Sequence, residues 1–263
     1  MAQRPPHRLL VEERRRRILD LVRTRERLTV DELVRQFGVS SVTVRGDLDA
    51  LAANGEIVRS HGGAIKIRDA FPDPPLNVKE TLHHAEKVRI GHAAAQLIRE
   101  DEIIILDSGT TTAEIARQVK FLKLKSLTVV TNALNVGLEL ANLPHVRIVM
   151  VGGLLRHTSC STVGPHADQT LRGLNADRLF LGVDALDPEI GVSTPDLLEA
   201  QVNRLMIKVS REVTAVADSS KFLRRSLSII AEMSAIHRVI TDDKADPQIV
   251  EQFRARNIEV LLV

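Results

Sequence analysis

The chain has 263 residues, a formal net charge of +2, one cysteine and neither tryptophan nor tyrosine. This length is sufficient for two ordinary domains, whose cores must be aliphatic because the chain has only six phenylalanines. The single cysteine excludes an internal disulfide and fits a reducing compartment, and no apolar run approaches the roughly 20 residues that span a bilayer. We therefore expect a soluble protein of the cytoplasm.

Charge is distributed unevenly along the chain. Residues 1–68 contain 14 Lys plus Arg against 9 Asp plus Glu, whereas residues 69–263 contain 22 against 25. A basic N-terminal segment on a mildly acidic body indicates a polyanionic partner at one end only. Charge counting alone also permits an ordinary solvated basic helix.

Two helices are predicted at the start of the chain. Residues 12–26 place apolar side chains on one stripe with arginines around it, as in an amphipathic helix. Thr29 and Glu32 have the spacing of a capping box, which predicts a second helix over 30–37. Gly38 then supplies a permissive turn before a further helical segment.

Residues 39–51 form the predicted third helix. Ser40 or Ser41 can accept hydrogen bonds from the amides that open it, and an apolar stripe faces inward at Val44, Leu48 and Leu51. This stripe leaves Ser41, Thr43 and Arg45 near the outward-facing first turns. Arginine can pair bidentately with guanine and hydroxyls suit phosphate or base edges, so a major-groove reader and an ordinary surface helix both fit this stretch.

Residues 56–67 predict a hairpin, because apolar runs flank Gly62-Gly63 and a glycine pair readily takes the positive φ values of a tight turn. Three charged or titratable side chains of this wing are candidates for contact with backbone phosphate, although a charged hairpin can also be merely solvated: Arg59, His61 and Lys66. Two short helices around a Gly turn, a basic helix before them and a wing after them predict a winged helix-turn-helix DNA-binding domain over 1–67.

Residues 68–78 contain three of the ten prolines and predict an inter-domain linker without helix or central strand. Residues 79–99 have helical periodicity and predict one long amphipathic helix. The remainder alternates short apolar strands with helical segments, which predicts a mostly parallel sheet in an α/β architecture. The strand candidates are 102–106, 127–131, 146–151, 178–183, 213–217, 237–241 and 258–262.

Polar residues follow these strands, and the carboxyl ends of parallel strands are where such sheets bind ligands. After the first strand comes a loop rich in small and hydroxyl residues that leads into a helix: Asp107, Ser108, Gly109, Thr110, Thr111 and Thr112. Backbone amides at a helix N-terminus together with these hydroxyls predict a phosphate cradle, unless the hydroxyls only cap the helix. The Gly-Lys-Ser/Thr ending of a nucleoside triphosphate loop is absent from this stretch.

Other strand ends add side chains suited to a small polyol carrying a phosphate, because carboxylates and amides bind hydroxyls and lysine binds the charge. Each of these loops taken singly is equally compatible with a structural role. The additional candidates are Asn132, Gly152, Gly153, Asp184, Glu199 and Lys221.

The N-terminal motifs resemble those of the DeoR family of bacterial transcription repressors. Residues 42–48, Val-Thr-Val-Arg-Gly-Asp-Leu, match the family's third-helix pattern, and His-Gly-Gly-Ala at 61–64 is similar to its wing. Gly46 stands where such proteins commonly carry a longer polar residue. The resemblance implies double-stranded operator DNA as a partner.

Residues 79–263 also resemble this family, through Leu-Asp-Ser-Gly-Thr-Thr-Thr at 106–112, Phe-Leu-Gly-Val-Asp at 180–184 and Ala-Asp-Ser-Ser-Lys-Phe at 217–222. The resemblance implies a sensor domain similar to the ribose-phosphate isomerase and glucosamine-phosphate deaminase fold, which binds a phosphorylated sugar that releases the repressor. It also implies that residues 107–112 hold the phosphate and that Asp184, Glu199 and Lys221 face the sugar. Several strings are most similar to repressors of N-acetylgalactosamine and galactosamine catabolism.

A sugar-phosphate isomerase or deaminase with an attached DNA-binding module is the main alternative. Asp184 or Glu199 could serve as the base, but Asp184 and Asp187 are further apart than the paired acids of similar isomerases. A metal-dependent or architectural DNA protein has less support, because His83, His84 and His92 lack zinc-site spacing. We expect a regulator without catalytic activity, cofactor or metal that forms homodimers or homotetramers on repeated half-sites.

Overall fold

The computed structural model describes residues 10–25, 27–53, 57–60, 62–65 and 73–263. The chain divides into two compact units, Met1–Pro74 and Pro75–Val263. The division falls inside the segment 68–78. The prediction that no helix enters this segment is wrong at its end, because a helix begins at Leu76 with Pro75 as its N-cap. Proline is compatible with a helix start, where its missing N–H needs no partner.

Three helices form the core of the N-terminal unit. They are α1 Val11–Arg25, α2 Val30–Phe37 and α3 Ser41–Ala53, close to the predicted spans. Their apolar stripes face one another, and the fully buried side chains include Ile18, Leu33, Val44 and Leu48. The predicted periodicities are therefore confirmed.

Local hydrogen bonds fix the start of α2 and the turn between α2 and α3. The Thr29 hydroxyl accepts from the Glu32 amide at 3.2 Å and the Glu32 carboxylate accepts from the Thr29 amide at 2.7 Å, which completes the predicted capping box. Gly38 ends α2 in the left-handed region at φ +63°. Ser40 caps α3, because its Oγ accepts from the Thr43 amide at 3.1 Å. Of the two predicted caps, Ser40 is the one used.

A small antiparallel sheet accompanies these helices. Its strands are β1 Arg27–Thr29, β2 Val58–Ser60 and β3 Gly63–Ile65, in the order β1-β3-β2. β2 and β3 form the predicted wing hairpin, and Ser60 lies opposite Gly63. β1 was absent from the prediction, because a three-residue strand carries almost no periodicity.

The two wing glycines have different roles. Gly62 lies in the turn with φ +83°, as predicted. The prediction is wrong for Gly63, which has no positive φ and pairs with Thr29 of β1. A Cβ at Gly63 would lie 2.1 Å from the Leu28 carbonyl oxygen, so this glycine permits the close approach of β1.

The C-terminal unit contains a seven-stranded sheet in which all neighbours are parallel. The seven predicted strands are all present within three residues of their predicted limits, which confirms the parallel α/β sheet. They are β4 Ile103–Leu106, β5 Leu127–Thr131, β6 Val146–Met150, β9 Ala176–Gly182, β12 Ser210–Val216, β14 Arg238–Thr241 and β15 Glu259–Leu262. The spatial order is β15-β14-β12-β9-β4-β5-β6.

Helices cover both faces of this sheet. Successive strand residues contribute to different apolar cores: Ile104 packs with α5 and α6, whereas Ile105 packs with α8, α9 and α10. The helices of this unit are α4 Leu76–Thr81, α5 His84–Ala95, α6 Thr110–Val119, α7 Leu134–Leu140, α8 Pro165–Arg172, α9 Leu197–Lys208 and α10 Pro247–Arg254. Over the described ranges, no helix is long and apolar enough to cross a bilayer.

The prediction of one continuous helix over 79–99 is wrong. α4 ends at Thr81, and α5 begins at His84 after His83 takes a left-handed conformation at φ +52°. A non-glycine residue in this region costs conformational energy, so the break must be held by surrounding contacts.

Two smaller antiparallel sheets lie outside the predicted elements. β7 Leu154–Arg156 pairs with β8 Ser161–Val163, and β10 Ala185–Asp187 pairs with β11 Gly191–Thr194, which also pairs with β13 Ser228–Ala231. These strands have only three or four residues each. They supply side chains to the site described below.

Candidate functional sites

The N-terminal turns of α3 present a polar surface in the DNA-binding unit. Arg45 is exposed, and Ser41 and Thr43 are half-buried at the helix start. The Ser40 and Thr43 hydroxyls lie 2.9 Å apart, so both take part in the cap as well as facing outward. Val42 was not singled out from the sequence, yet it is 75% exposed on the same turn. An exposed apolar side chain beside an arginine is suited to contact with a thymine methyl group.

Asp47 has a different role from its neighbours in the same motif. It is buried, its Oδ2 lies 2.5 Å from Arg14 Nε, and its Oδ1 lies 3.1 Å from Arg15 Nε. This pair of contacts joins α1 to α3. The expectation that the α1 arginines form an outer shell is therefore wrong for Arg14, which is 5% exposed.

The wing candidates are described only in part. Arg59 lies in β2, where the backbone is described and the side chain is not. His61 and Lys66 lie outside the described residues. Their predicted contacts with phosphate stay predictions.

The carboxyl ends of the central strands meet at one edge of the large sheet. Asp107 follows β4, and its Oδ2 accepts hydrogen bonds at 3.2 Å from the amide of Gly182, at the end of β9, and at 3.2 Å from Asn203 Nδ2 on α9. Gly182 is required by this proximity, since a Cβ there would lie 2.6 Å from the Ser108 carbonyl oxygen. Burial, together with the negative charge of Glu199, raises the pKa of Asp107 well above its usual value. Asn203 was missed from the sequence because it is remote along the chain.

The loop after Asp107 leads into α6. Gly109 is the N-cap, with φ +125°, and it has no side chain that could cap the helix. The Thr112 hydroxyl donates to the Gly109 carbonyl at 3.0 Å, a bond that does not satisfy a helix amide. The alternative that these hydroxyls serve only as caps is therefore not supported at the N-cap. Ser108, Thr110 and Thr111 are each less than 10% exposed around this helix end.

Asp184 and Glu199 form a carboxylate pair beside this loop. The Thr194 hydroxyl lies 2.9 Å from Glu199 Oε2 and 3.4 Å from Asp184 Oδ2. Arg156 of β7 joins the pair, with Nη1 3.3 Å from Glu199 Oε2. Burial and the negative charge of Asp184 raise the pKa of Glu199 to about 7. The sequence prediction contained both acids but neither Thr194 nor Arg156.

Two lysines, Lys79 and Lys221, lie beside Asp184, and a third, Lys87, lies near both of them. Lys79 Nζ donates to Asp184 Oδ1 at 2.9 Å. Burial lowers the pKa of Lys221, although Asp184 opposes this, and burial lowers the pKa of the nearby Lys87 to about 8. Burial alone would raise the pKa of Asp184, but attraction to Lys79 and Lys221 outweighs it and the pKa lies below its usual value. Lys79 and Lys87 were not predicted as site residues.

The remaining predicted effector residues contribute mainly backbone structure. Asn132 is buried and its Nδ2 donates to the Thr162 carbonyl at 3.1 Å, which joins the end of β5 to β8. Gly153 has φ +139°, and a Cβ there would lie 2.5 Å from the Val163 carbonyl oxygen. Gly152 has open space at its Cβ position. Contact of these three residues with an effector stays a prediction.

The C-terminal unit also has an apolar cavity away from the strand edge. A cavity of about 390 Å³ is lined largely by apolar surface from α5, the end of α6 and Val263, and none of the predicted effector residues lines it. Within the described part of the chain, His, Cys, Asp and Glu side chains form no group of three that could hold a metal ion. The strand edge is therefore where charged and hydroxyl side chains converge.

A winged helix-turn-helix unit joined to an α/β unit with a polar, charged strand edge defines a ligand-responsive transcription regulator. Residues 14–69 match the DeoR-like helix-turn-helix domain and residues 82–243 match the DeoR C terminal sensor domain. The chain belongs to the DeoR family, and the resemblance predicted from its motifs is confirmed.

Similar proteins extend over nearly the whole chain. A putative aga operon transcriptional repressor of Escherichia coli O157:H7 is 40% identical over 95% of this chain and 93% of its own length. The HTH-type transcriptional regulator GlpR of Haloferax volcanii is 35% identical over 96% and 98%. The lactose phosphotransferase system repressor of Lactococcus lactis is 29% identical over 90% and 93%. The chain is a DNA-binding transcription regulator, as predicted.

Solved structures align with parts of the chain at low identity. Ribose 5-phosphate isomerase A of Methanocaldococcus jannaschii aligns over 54% of this chain and 55% of its own, with a TM-score of 0.40 and 14% identity. The eIF2B delta chain of Chaetomium thermophilum aligns over 77% and 64%, with a TM-score of 0.42 and 13% identity.

Proposed function

We propose that this regulator represses an operon for the catabolism of an amino sugar and that a phosphorylated sugar releases it from its operator. One observation carries the proposal. At one edge of the sheet, the open N-terminus of α6 and its hydroxyl side chains lie together with two carboxylates and with lysine side chains. A sugar phosphate needs both kinds of group, because its phosphate binds amides and cations while its hydroxyls donate to carboxylates. The repressor named for the aga operon supports the choice of sugar.

The phosphate end of the effector is proposed to lie against residues 107–112. The first amides of α6 have no intrahelical acceptor, and Gly109 leaves the approach to them open. Lys221 supplies positive charge beside Asp184 and Asp218, with which its ammonium interacts. The sugar end then faces Asp184 and Glu199, with Asn132, Gly152 and Gly153 at the margin.

DNA is proposed to bind across α3 and the wing. Arg45 is placed to read a guanine, Val42 to contact a thymine methyl group, and Ser40, Ser41 and Thr43 to contact phosphate or base edges. The wing candidates Arg59, His61 and Lys66 would add backbone contacts. Because one helix-turn-helix reads only a half-site, we propose a homodimer or homotetramer that acts in the cytoplasm on repeated half-sites.

The first experiment identifies the DNA and the effector. Duplexes are selected from a random-sequence library with the full-length protein, and release of the selected duplex is followed by fluorescence anisotropy. Galactosamine 6-phosphate, glucosamine 6-phosphate and ribose 5-phosphate are each compared with the unphosphorylated sugar and with inorganic phosphate. We expect one hexosamine phosphate to release the DNA and to raise the thermal midpoint through mass action.

Variants separate the two sites. Thr110→Val and Lys221→Ala are expected to keep duplex affinity within twofold and to lose release, because Thr110→Val removes a hydroxyl at the phosphate end and Lys221→Ala removes the positive charge beside Asp184. Lys125→Ala, an exposed lysine on the same unit, is the matched control. The effector assignment is wrong if both site variants respond to the sugar phosphate as the control does.

A further inference from the structure

α4 occupies a special position along the chain. It is the first element of the C-terminal unit and follows directly after residue 74, where the N-terminal unit ends. None of its six residues is buried. Since burial of apolar surface is the main source of stability for a packed helix, α4 must be held in place largely by polar contacts.

Two side chains, Lys87 and Arg117, hold the C-terminal end of α4. The buried ammonium of Lys87 donates to the Lys79 carbonyl at 2.5 Å and to the Leu82 carbonyl at 2.7 Å, which satisfies backbone oxygens at the helix end. Glu80 forms an ion pair with Arg117 of α6, at 2.8 Å, on the outer side. Both contacts lie outside the carboxylate pair of the effector site.

The third contact enters that site. Lys79 Nζ lies 2.9 Å from Asp184 Oδ1, and both side chains are largely shielded, with 15% and 25% of their surface exposed. The other oxygen of Asp184 lies 3.4 Å from the Thr194 hydroxyl, which bonds to Glu199. The carboxylate that is placed to accept sugar hydroxyls is therefore also the carboxylate that anchors α4.

We propose that Lys79 responds directly to the effector. In the ligand-free protein its ammonium anchors α4 to Asp184. When the sugar phosphate binds, the ammonium leaves Asp184 and bonds to the phosphate group. This inference rests on the proposed function, because it takes Asp184 as part of the effector site. A hydroxyl that donates to Asp184 competes with Lys79 for the same oxygen. A phosphate carrying about −1.5 to −2 charges offers the ammonium a stronger partner.

The exchange supplies the differential contact that allosteric coupling requires. A ligand shifts a conformational equilibrium only by its difference in affinity for the two states. Here the two states differ in whether Lys79 bonds to Asp184, and α4 leads along the chain into the DNA-binding unit. Sites coupled in this way typically change each other's affinity about 5- to 150-fold.

The test compares full-length Lys79→Gln and Lys79→Arg with the matched control Lys125→Gln. Hydrogen exchange of the amides in 77–82 is followed by mass spectrometry without any sugar, together with the affinity for the selected duplex. In Lys79→Gln we expect the amides of residues 77–82 to exchange at least tenfold faster than in the control. We also expect this variant to bind the duplex at least fivefold more weakly. Both changes should resemble those that the effector causes in the wild-type protein. Lys79→Arg keeps the positive charge and is expected to restore most of the protection.

A double-variant comparison tests the contact itself. Asp184→Asn is expected to speed exchange in 77–82 as Lys79→Gln does, and the double variant is expected to add less than twofold, because both changes remove one interaction. The proposal is overturned if Lys79→Gln leaves exchange or duplex affinity at the level of the control. Failure of the proposed function is a separate result, in which no sugar phosphate releases DNA from the wild-type protein although Lys79→Gln behaves as expected.

Discussion

Asp47→Asn should destabilise the folded DNA-binding unit rather than merely weaken its contact with DNA. The carboxylate is buried and bonds to both Arg14 and Arg15, so Asp47→Asn removes the negative charge that the two arginines share. Removing one member of a buried ion pair typically costs roughly 3–5 kcal/mol. Because whole domains are stable by only about 5–15 kcal/mol, this loss removes much of the stability of a small unit.

Urea unfolding followed by far-ultraviolet circular dichroism measures this effect, since the chain has no tryptophan or tyrosine to report by fluorescence. With an m value of about 1 kcal/mol/M for a small unit, a loss of about 3 kcal/mol lowers the urea midpoint of that unit by about 3 M. The exposed Gln36 on α2 provides the control, and Gln36→Ala should change stability by less than about 0.5 kcal/mol.

Duplex binding distinguishes a folding defect from a lost contact. If Asp47 acts through folding, trimethylamine N-oxide, which favours the compact state, should restore duplex binding to Asp47→Asn. A variant that unfolds at the wild-type urea midpoint and still fails to bind would refute the structural role and place Asp47 at the DNA surface.

Three further changes test other parts of the structure. Arg45→Ala should weaken binding of the selected duplex by about 1–3 kcal/mol and relax the preference at one base position, as measured by anisotropy on single-substitution duplexes; normal binding would exclude Arg45 as a base reader. Burial and the charge of Asp184 raise the pKa of Glu199 from its ordinary 4.5 to about 7, so the folded state binds this proton more tightly and the group lowers stability as pH rises between those values. Glu199→Gln should therefore be more stable than wild type at pH 8 by on the order of 1–3 kcal/mol and should lose that advantage near pH 4, and equal midpoints at both pH values would contradict the raised pKa. Gly46→Ala should raise the urea midpoint, by up to about 1 kcal/mol in free energy, because the helical Cβ would meet nothing within 4 Å; a lower midpoint would show that α3 needs glycine there.

The parallel sheet was predictable because its central strands are mostly buried on both faces and appear as continuous apolar runs. The capping box of α2 was equally clear, since the Thr29 and Glu32 pattern depends on three residues of local sequence. The short strands β7, β8, β10, β11 and β13 were not, because three or four residues show no periodicity and their pairing is set by tertiary contacts.

The candidate site also contains some residues that could be predicted from the sequence and some that could not. Asp107 and Asp184 follow strands, so their position at one edge could be inferred from topology. The partner of Asp184 could not, because Lys79 is 105 positions away and belongs to a helix placed within a predicted linker and a predicted longer helix. Asp47 offered a usable signal, since it adjoins Leu48 on a helix whose inward stripe includes Val44, yet a motif position alone does not distinguish burial from DNA contact.

The central position of β4 has a consequence for biosynthesis. β5, its neighbour on one side, is the next strand to leave the ribosome, but β9 on the other side begins only at Ala176. Asp107 must therefore wait for Gly182, 75 positions later, before its carboxylate receives the hydrogen bond from that amide. During this interval a nascent chain carries a bare apolar strand edge, which is a template for association with other chains. The strand edge that carries the candidate effector residues is consequently incomplete until β9 has been made, and we expect protection by chaperones to matter most between the synthesis of these two strands.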